Sequence, residues 1–481
     1  MTTNCSFPNI PDDRLKRELL PETYQWCLTN GLVMYPINFQ QEQTMIAPVT
    51  LYPTPLPRRS FESAEDVQKI YNELYAKISQ DSGGWLTNET IKLANFDSEF
   101  TGKLWKLYLE AVKNGITQKL KLGVFRSDYL VDKRSTDIKQ VEFNTVSVSF
   151  GGLSTKVGQL HNYLNETGSY SLGTKFYQQE IPTSESDSLL AKGLAAAVKK
   201  YDPVLENPIV AFITQDNERN VFDQRVIEYN LLKEYGIRSI RLTLDEVQER
   251  TYVKDEKRRL FVKSSDQEIA LVYFRAGYSP TDFKSQISWD NRLVLETSYA
   301  IKAPDLMTQL SGTKKIQQLL TDELTLSKFI DDESTRRRIL STFVKIYPLD
   351  DTPLGKQGKK FALESPHKYV LKPQREGGGN NIYKGDIPDF LNKTPVDQWS
   401  AYVLMELIEP NSTEGNIVLR GNEMFKEPIL SELGIFGCIL FNETEVFYNE
   451  YAGWLLRSKF NSSNEGGVAA GFGCVDSIVL V

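Results

Sequence analysis

One ten-residue run, Lys372-Pro373-Gln374-Arg375-Glu376-Gly377-Gly378-Gly379-Asn380-Asn381, constrains this chain more than any other stretch. It follows Tyr369, Val370 and Leu371, an apolar segment that reads as the end of a buried strand. Three successive glycines let the backbone reach positive φ and close its amides around an anion. Lys372 and Arg375 bring positive charge to the same place. Glu376 would repel a phosphate unless a divalent cation stood between them, and Mg²⁺ binds in that way, through one or two carboxylates plus phosphate oxygens. The stretch therefore reads as a lid over a Mg-nucleotide; three glycines by themselves also suit a plain surface turn.

Composition narrows the chemistry. At 481 residues the chain can bury a large core and is expected to fold as two or three units. No apolar run is long enough to span a membrane, and residues 1–18 carry no signal-peptide pattern. Cys5, Cys27, Cys438 and Cys474 have no paired spacing, which argues against a zinc site or a disulfide framework and for a reduced, cytoplasmic protein. A net charge of −7 argues against a nucleic-acid surface. His161 and His367 are the only histidines, and neither stands beside a serine or cysteine in a nucleophile motif. The chemistry falls to carboxylates, cationic side chains and a hard metal.

Taken in order, residues 12–30 read as a helix closed by Gly31, followed by a crossing marked by Pro48, Pro53, Pro55 and Pro57. Ser63 with Asp66 resembles a capping box. It precedes the helical stripe Val67, Ile70, Tyr71, Leu74, Tyr75 and Ile78, and a second stripe runs from Phe100 to Val112 and ends at Gly115. Strands are expected at 122–130 and 140–145. In the second, Glu142 and Asn144 share one face, and Val141 and Phe143 point to the apolar side. Two hard oxygen donors two residues apart suit half of a Mg²⁺ site, and equally the polar outer face of an ordinary strand.

From about residue 206 the pattern alternates: strand 209–213, helix 221–235 stopped by Gly236, strand 237–242, and a further strand centred on 271–274. This predicts a small parallel α/β unit inserted in the chain. Glu218, Arg219, Asn220, Gln224, Arg275 and Tyr278 cluster where its strands end, the place at which open α/β sheets bind ligands. Helical patterns then run from 292 to about 346, and the run Ser311-Gly312-Thr313-Lys314-Lys315 within them lacks the first glycine of a P-loop. Strands are expected at 402–406, at 429–440 with interruptions at Glu432 and Gly434, and at 445–451. Leu455 to Lys459 and a Gly/Ala-rich loop at 465–471 close the chain.

These motifs together resemble the eukaryotic glutathione synthetases, which are ATP-grasp ligases. The matching stretches, in the family's order, are 125–129, 141–147, 218–224, 309–315, 372–381, 431–434 and 465–471. The resemblance implies a mixed α/β (α+β) ATP-grasp fold with a glycine-rich lid and an inserted parallel α/β substrate-binding domain. Residues 1–205 would form the N-terminal part of the body, 206–313 the substrate domain, and 314–481 the rest of the body with lid and C-terminal loop. The reaction implied is the ATP- and Mg²⁺-dependent joining of γ-glutamylcysteine to glycine through an acyl phosphate, by a cytoplasmic homodimer without nucleic-acid or membrane partners. Mg²⁺ would be held by Glu142, Asn144 and Glu376. Nucleotide contacts would come from Glu142, Lys314, the run Lys372 to Asn381, Tyr383, Met405, Glu406, Leu407, Ile408, Glu432, Lys459 and Glu465. The peptide would be held by Arg126, Val146, Ser147, Val148, Ser149, Glu218, Arg219, Asn220, Gln224, Arg275 and Tyr278, with Arg457, Val468 and Ala469 over the reacting centre. Arg457, Lys314 and Lys372 would be the catalytic cations. Rival readings are a ligase for a related thiol peptide with another acceptor, and a nucleotide-binding scaffold without turnover.

Overall fold

The computed structural model of the protein describes residues 6–375, 379–464, 466–468, 471 and 473–481. The first helical stretch ends at Gly31, with φ 75°, as the sequence predicts. After Pro48 comes the short strand β1 (Val49–Thr50). Helix α1 (Arg58–Gln80) begins five residues before Ser63, because Pro57, at φ −59°, already sets the geometry of the first turn. Helix α2 (Thr101–Asn114) follows, and then the antiparallel pair β2 (Lys121–Val131) and β3 (Ile138–Asn144). Helix α3 (Gly151–Glu166) leads towards the alternating segment: β4 (Ile209–Ile213), α4 (Val221–Tyr235), β5 (Ser239–Leu242) and β6 (Glu268–Phe274).

β4 lies parallel between β5 and β6, as expected of an α/β unit. The stretch 292–346 is not wholly helical. It contains β7 (Ile301–Ala303), which runs parallel to β6 and also pairs with β2 at Lys302 and Lys121. The parallel strands thereby join the body's sheet, which has 14 strands among the described residues. Helix α5 (Lys314–Leu320) precedes a separate four-stranded antiparallel sheet made of β8 (Ile346–Pro348), β9 (Tyr369–Pro373), β10 (Ile382–Tyr383) and β11 (Tyr402–Glu406). The chain returns to the large sheet with β12 (Ile429–Phe441), which runs through Glu432 and Gly434 without a break. β13 (Val446–Phe460) is one continuous strand where the sequence suggested separate pieces, and β14 (Gly473–Asp476) pairs with it.

A hydrophobic core lies on each face of the large sheet. On one face Phe143 stacks on Tyr75 of α1, ring centroids 3.8 Å apart and 11° from parallel, with Tyr71 one helical turn away at 5.6 Å. On the other, Val124 and Phe436 pack with Leu153 and Leu160 of α3. The C-terminal strands are tied to the N-terminal ones by a buried polar network. The Asp476 carboxylate accepts from the hydroxyls of Thr50 (2.6 Å), Thr54 (2.7 Å) and Ser458 (2.6 Å). Beside it His161 Nδ1 meets Ser477 Oγ at 2.6 Å, and Nε2 donates to the Thr50 carbonyl at 2.8 Å.

Burial lifts the Asp476 carboxyl to about 6 and lowers the His161 imidazole to about 4. The two act on stability in opposite directions. An unfolded histidine takes up a proton near pH 6.5 that the buried ring refuses down to about 4, so His161 removes stability as the pH falls through that window. Asp476 keeps its proton up to about pH 6 when folded and loses it near 3.8 when unfolded, so its contribution is present below 3.8 and lost as pH rises through 6. Relative to wild type, Asp476→Asn should therefore lose stability on acidification between pH 6 and 4, by up to about 1.4 kcal/mol per unit, and His161→Gln should gain it. Urea midpoints at three pH values across that range test this, and parallel profiles for all three proteins would refute it.

Candidate active site

The site is built by strand register. Opposed residues of antiparallel strands project to the same face, as do residues two apart along a strand. Asp128 on β2 opposes Glu142 on β3 and Gly434 on β12; Arg126 opposes Asn144; Glu432 on β12 opposes Arg457 on β13. Six polar side chains from four strands are thus brought to one face. Gly434 is required there, because a Cβ at that position would come within 2.9 Å of both Asp128 Oδ1 and Arg126 Cδ.

Asp128 is fully buried at the centre of this group. Its carboxylate accepts from Arg126 Nε at 2.6 Å and Nη2 at 2.8 Å, from Asn144 Nδ2 at 2.9 Å and from Arg457 Nη2 at 3.1 Å. Arg457 also pairs with Glu432. The sequence reading gave Asp128 no role. The available signal was its place two residues from Arg126 on a strand next to the one bearing Glu142 and Asn144.

Two lysines reach the same face from elsewhere. Lys314, at the start of α5, lies 3.0 Å from Glu142, and Lys372 on β9 donates to the Val141 carbonyl at 2.8 Å. The turn before Lys314 passes so close to the end of β3 that a Cβ at Gly312 would stand 2.3 Å from Thr145 Oγ1. Val141 is not on the apolar side as expected. A bulge between β2 and β3 shifts the register there, leaving Val141 half-buried and lining the cavity. Phe143 does face the core. Burial alone would raise the Glu142 carboxyl; the ammonium groups of Lys314 and Lys372, and then Arg457, outweigh it and hold the group well below the ordinary range. Burial would likewise lower Arg457, but Glu432, Asp128 and Glu142 push it up. Both stay charged at neutral pH.

A cavity of about 1160 Å³ separates this face from the four-stranded sheet. One wall carries Lys372, Asn380, Asn381, Tyr383, Met405, Glu406, Leu407 and Ile408; the other carries Arg126, Glu142, Asn144, Val146, Ser147, Val148, Ser149, Tyr278, Glu432, Arg457, Lys459 and Val468. Glu376, Gly377, Gly378, Glu465 and Ala469 lie outside the described residues. Among the described residues, no three or more His, Cys, Asp and Glu side chains gather into a metal cage. The hard oxygens of Glu142 and Asn144 could supply part of a shell that phosphate oxygens complete.

The base of the glycine-rich run is bound to protein. Pro373 closes β9 opposite Tyr402. Gln374 accepts the Lys315 amide at 3.0 Å and donates to the Ala401 carbonyl at 3.1 Å. Arg375 lines the cavity, but its guanidinium forms a two-pronged pair with Asp97, one arm at 2.7 Å, and lies over the Phe100 ring. Asp97 also accepts from Thr101 at the start of α2, and burial would raise it were Arg375 and Thr101 not holding it below the ordinary range. The positive charge expected from Arg375 is therefore taken up by Asp97.

The segment 146–150 is pinned to the parallel strands. Arg275 donates to the Val148 carbonyl and to Ser149 Oγ (2.6 Å), Ser147 Oγ donates to the Phe274 carbonyl (3.1 Å), and Arg126 Nη1 reaches the Ser149 carbonyl (3.3 Å). Asp223 receives the amides of Phe150, Gly152 and Leu153 at the start of α3. Glu218, Asn220, Gln224 and Arg275 lie behind the cavity wall rather than on it. Glu218 accepts from the Asn220 amide and from Gln224, whose oxygen takes Arg241. Asn220 Oδ1 and Arg275 Nε are buried without a hydrogen-bond partner among the described residues. Arg219 also lies off the wall and donates to the Tyr35 carbonyl. The Tyr278 hydroxyl, on the wall, accepts from Gln215.

A family model described as "Eukaryotic glutathione synthase, ATP binding domain" matches residues 13–480. The glutathione synthetase large chain of Schizosaccharomyces pombe is 40% identical, over 95% of this chain and 96% of that protein. The glutathione synthetase of Rattus norvegicus is 36% identical, over 97% and 98%. The chloroplastic glutathione synthetase of Solanum lycopersicum is 35% identical, over 98% and 86%. Among solved structures, the apo form of a glutathione synthetase-like effector from Globodera pallida superposes with a TM-score of 0.76 over 99% of both chains at 24% identity, a likeness of fold.

Because Arg375 is engaged by Asp97, Arg375→Lys should act as a loss of anchorage. Lysine keeps the charge but not the two parallel bonds. Its melting temperature should fall and the KM for nucleotide should change less than about threefold, since the phosphates do not lose a contact. A tenfold or larger rise in that KM at an unchanged melting temperature would return Arg375 to the nucleotide.

Proposed function

The chain belongs to the eukaryotic glutathione synthase family, and from that membership we propose how its residues perform the ligation. It is an ATP-dependent ligase of the glutathione synthase class and makes glutathione. The C-terminal carboxylate of γ-glutamylcysteine takes the γ-phosphoryl group of ATP. The amine of glycine attacks the resulting acyl phosphate, and phosphate leaves, giving glutathione and ADP. Phosphoryl transfer asks the protein for position and charge neutralisation rather than for a nucleophile.

The convergence of Lys314, Lys372, Arg457 and Arg126 on one cavity, from both of its walls, carries this reading. Lys314 and Lys372 neutralise the ATP phosphates, and the purine lies along Met405, Glu406, Leu407 and Ile408. Arg126, Ser147, Ser149 and Tyr278 on the cavity wall hold the peptide, with Asn220, Gln224 and Arg275 behind them; the Asn220 oxygen and Arg275 Nε, without partners among the described residues, support this side, because buried polar groups are seldom left without partners. Arg457 faces the reacting centre, where it orients a carboxylate or stabilises the oxyanion formed as glycine attacks. Magnesium fits the donor set: Glu142 is held ionised, and Asn144 adds a neutral oxygen on the same strand face. With Glu376 they would hold the ion, which would supply positive charge to neutralise the ATP phosphates.

The lid, Glu465 and Ala469 enter on family resemblance, as do the homodimer and the division at residues 205 and 313. A cytoplasmic location suits the buried free thiols of Cys27, Cys438 and Cys474, although the family includes chloroplastic relatives. No helix among the described residues is long and apolar enough to cross a membrane.

A coupled assay of ADP release with γ-glutamylcysteine, with and without glycine, tests the reading. ADP and glutathione should appear one for one, and only with all three substrates. No ADP would favour a scaffold, and better turnover with another amino acid a different acceptor. Glu142→Gln removes one charge and almost no volume, so kcat should fall by about two orders of magnitude while the peptide KM moves little. A near-normal kcat at saturating Mg²⁺ would dismiss the metal assignment.

A further inference from the structure

Asp128 has no place among the ligand contacts above, yet three of them depend on it. It lines no part of the cavity and is fully buried. Its Oδ1 takes Arg126 Nε at 2.6 Å, and its Oδ2 takes Arg126 Nη2 at 2.8 Å, Asn144 Nδ2 at 2.9 Å and Arg457 Nη2 at 3.1 Å. The two-pronged contact fixes the plane of the Arg126 guanidinium, which a single charge could not do. The bond to Asn144 engages the amide nitrogen and so directs the amide oxygen away from Asp128. The bond to Arg457 sets that arginine between two carboxylates, Asp128 and Glu432.

We propose that Asp128 is a positioning residue for the ligation: one buried carboxylate orients Arg126 on the peptide side, Asn144 on the metal side and Arg457 at the reacting centre. The inference rests on the assignment of those three residues to substrate and metal. Asp128 is itself held in place by strand pairing, opposite Glu142 and Gly434, and the absent side chain at Gly434 leaves the room its Oδ1 occupies. Its carboxylate bonds go to Arg126, Asn144 and Arg457, on the side of the cavity away from residues 405–408. Disturbing it should therefore separate the substrates: the peptide and the chemical step suffer most, and the nucleotide is reached only through the metal side at Asn144.

Asp128→Asn keeps the shape and removes the charge. Its peptide KM should rise, and its kcat fall, by about 10- to 100-fold each, the loss usual when a group that orients functional side chains is removed. At saturating Mg²⁺ the KM for ATP should stay within about twofold, and calorimetric binding of a non-hydrolysable ATP analogue should match wild type. Gly434→Ala serves as a second variant, because it keeps every charge and places a methyl group 2.9 Å from Asp128 Oδ1. The same split between peptide and ATP is expected, to a smaller degree. Normal kinetics in Asp128→Asn, a lowered melting temperature with both KM values shifted alike, or failure of both variants to fold would each overturn the proposal and leave Asp128 as framework. Arg126→Lys and Arg457→Lys are measured beside them. If those two are normal, the assignment of the substrate site fails; if they are impaired while Asp128→Asn is not, only the positioning role fails.

Discussion

The register of β12 between β2 and β13 is the constraint on which the rest of this structure depends. Side chains along a strand alternate with a period of two, so a slip of β12 by one residue would turn Glu432 towards the opposite core and place a side chain where Gly434 leaves room for Asp128. With Gly434 opposite Asp128 and Glu432 opposite Arg457, two carboxylates and an arginine from distant segments meet on one face. The register is held from the other side by apolar packing, in which Phe143 and Phe125 face Tyr75 of α1. The site is the polar end of a sheet whose opposite face is core.

Placing charge there is costly unless each ion has a partner. Four cationic side chains, Arg126, Arg457, Lys314 and Lys372, stand with three carboxylates, Asp128, Glu142 and Glu432. The pairing keeps Glu142 ionised against its burial and keeps Arg457 charged, and the excess of positive charge among these residues suits anionic substrates. Arg126 and Arg457 share one acceptor, Asp128, so the two arginines, proposed for the peptide and for the reacting centre, are joined mechanically as well as electrostatically.

The two walls of the cavity are joined by a few specific contacts. Lys372 reaches from the four-stranded sheet to the bulged strand β3, Gln374 links that sheet to α5, and Arg375 ties it to Asp97. On the opposite side, Arg275 at the end of β6 holds the segment that bears Ser147 and Ser149. The parallel strands share the body's sheet through β7 and β2, so Arg275 and the strands bearing Glu142 and Asp128 belong to one hydrogen-bonded framework.

Much was legible in the sequence because it is encoded locally. Alternation marked Glu142 and Asn144 as sharing a face, helical spacing marked Tyr71 and Tyr75 as core, and Gly31, Gly115 and Gly236 marked helix ends by their capacity for positive φ. Of the residues named from the family motifs, Arg126, Glu142, Lys314, Lys372 and Arg457 are among those that line the cavity, whereas Glu218, Arg219, Asn220, Gln224 and Arg275 do not. The tertiary structure decided the rest. It turned Val141 outwards at a bulge, engaged Arg375 with an aspartate 278 residues away, threaded β7 through a stretch that reads as helix, and made Asp128 the common acceptor of three site residues. Those outcomes depend on which distant strands pair and in what register, and on the need of each buried charge for a counter-charge. Periodicity along a single segment carries neither.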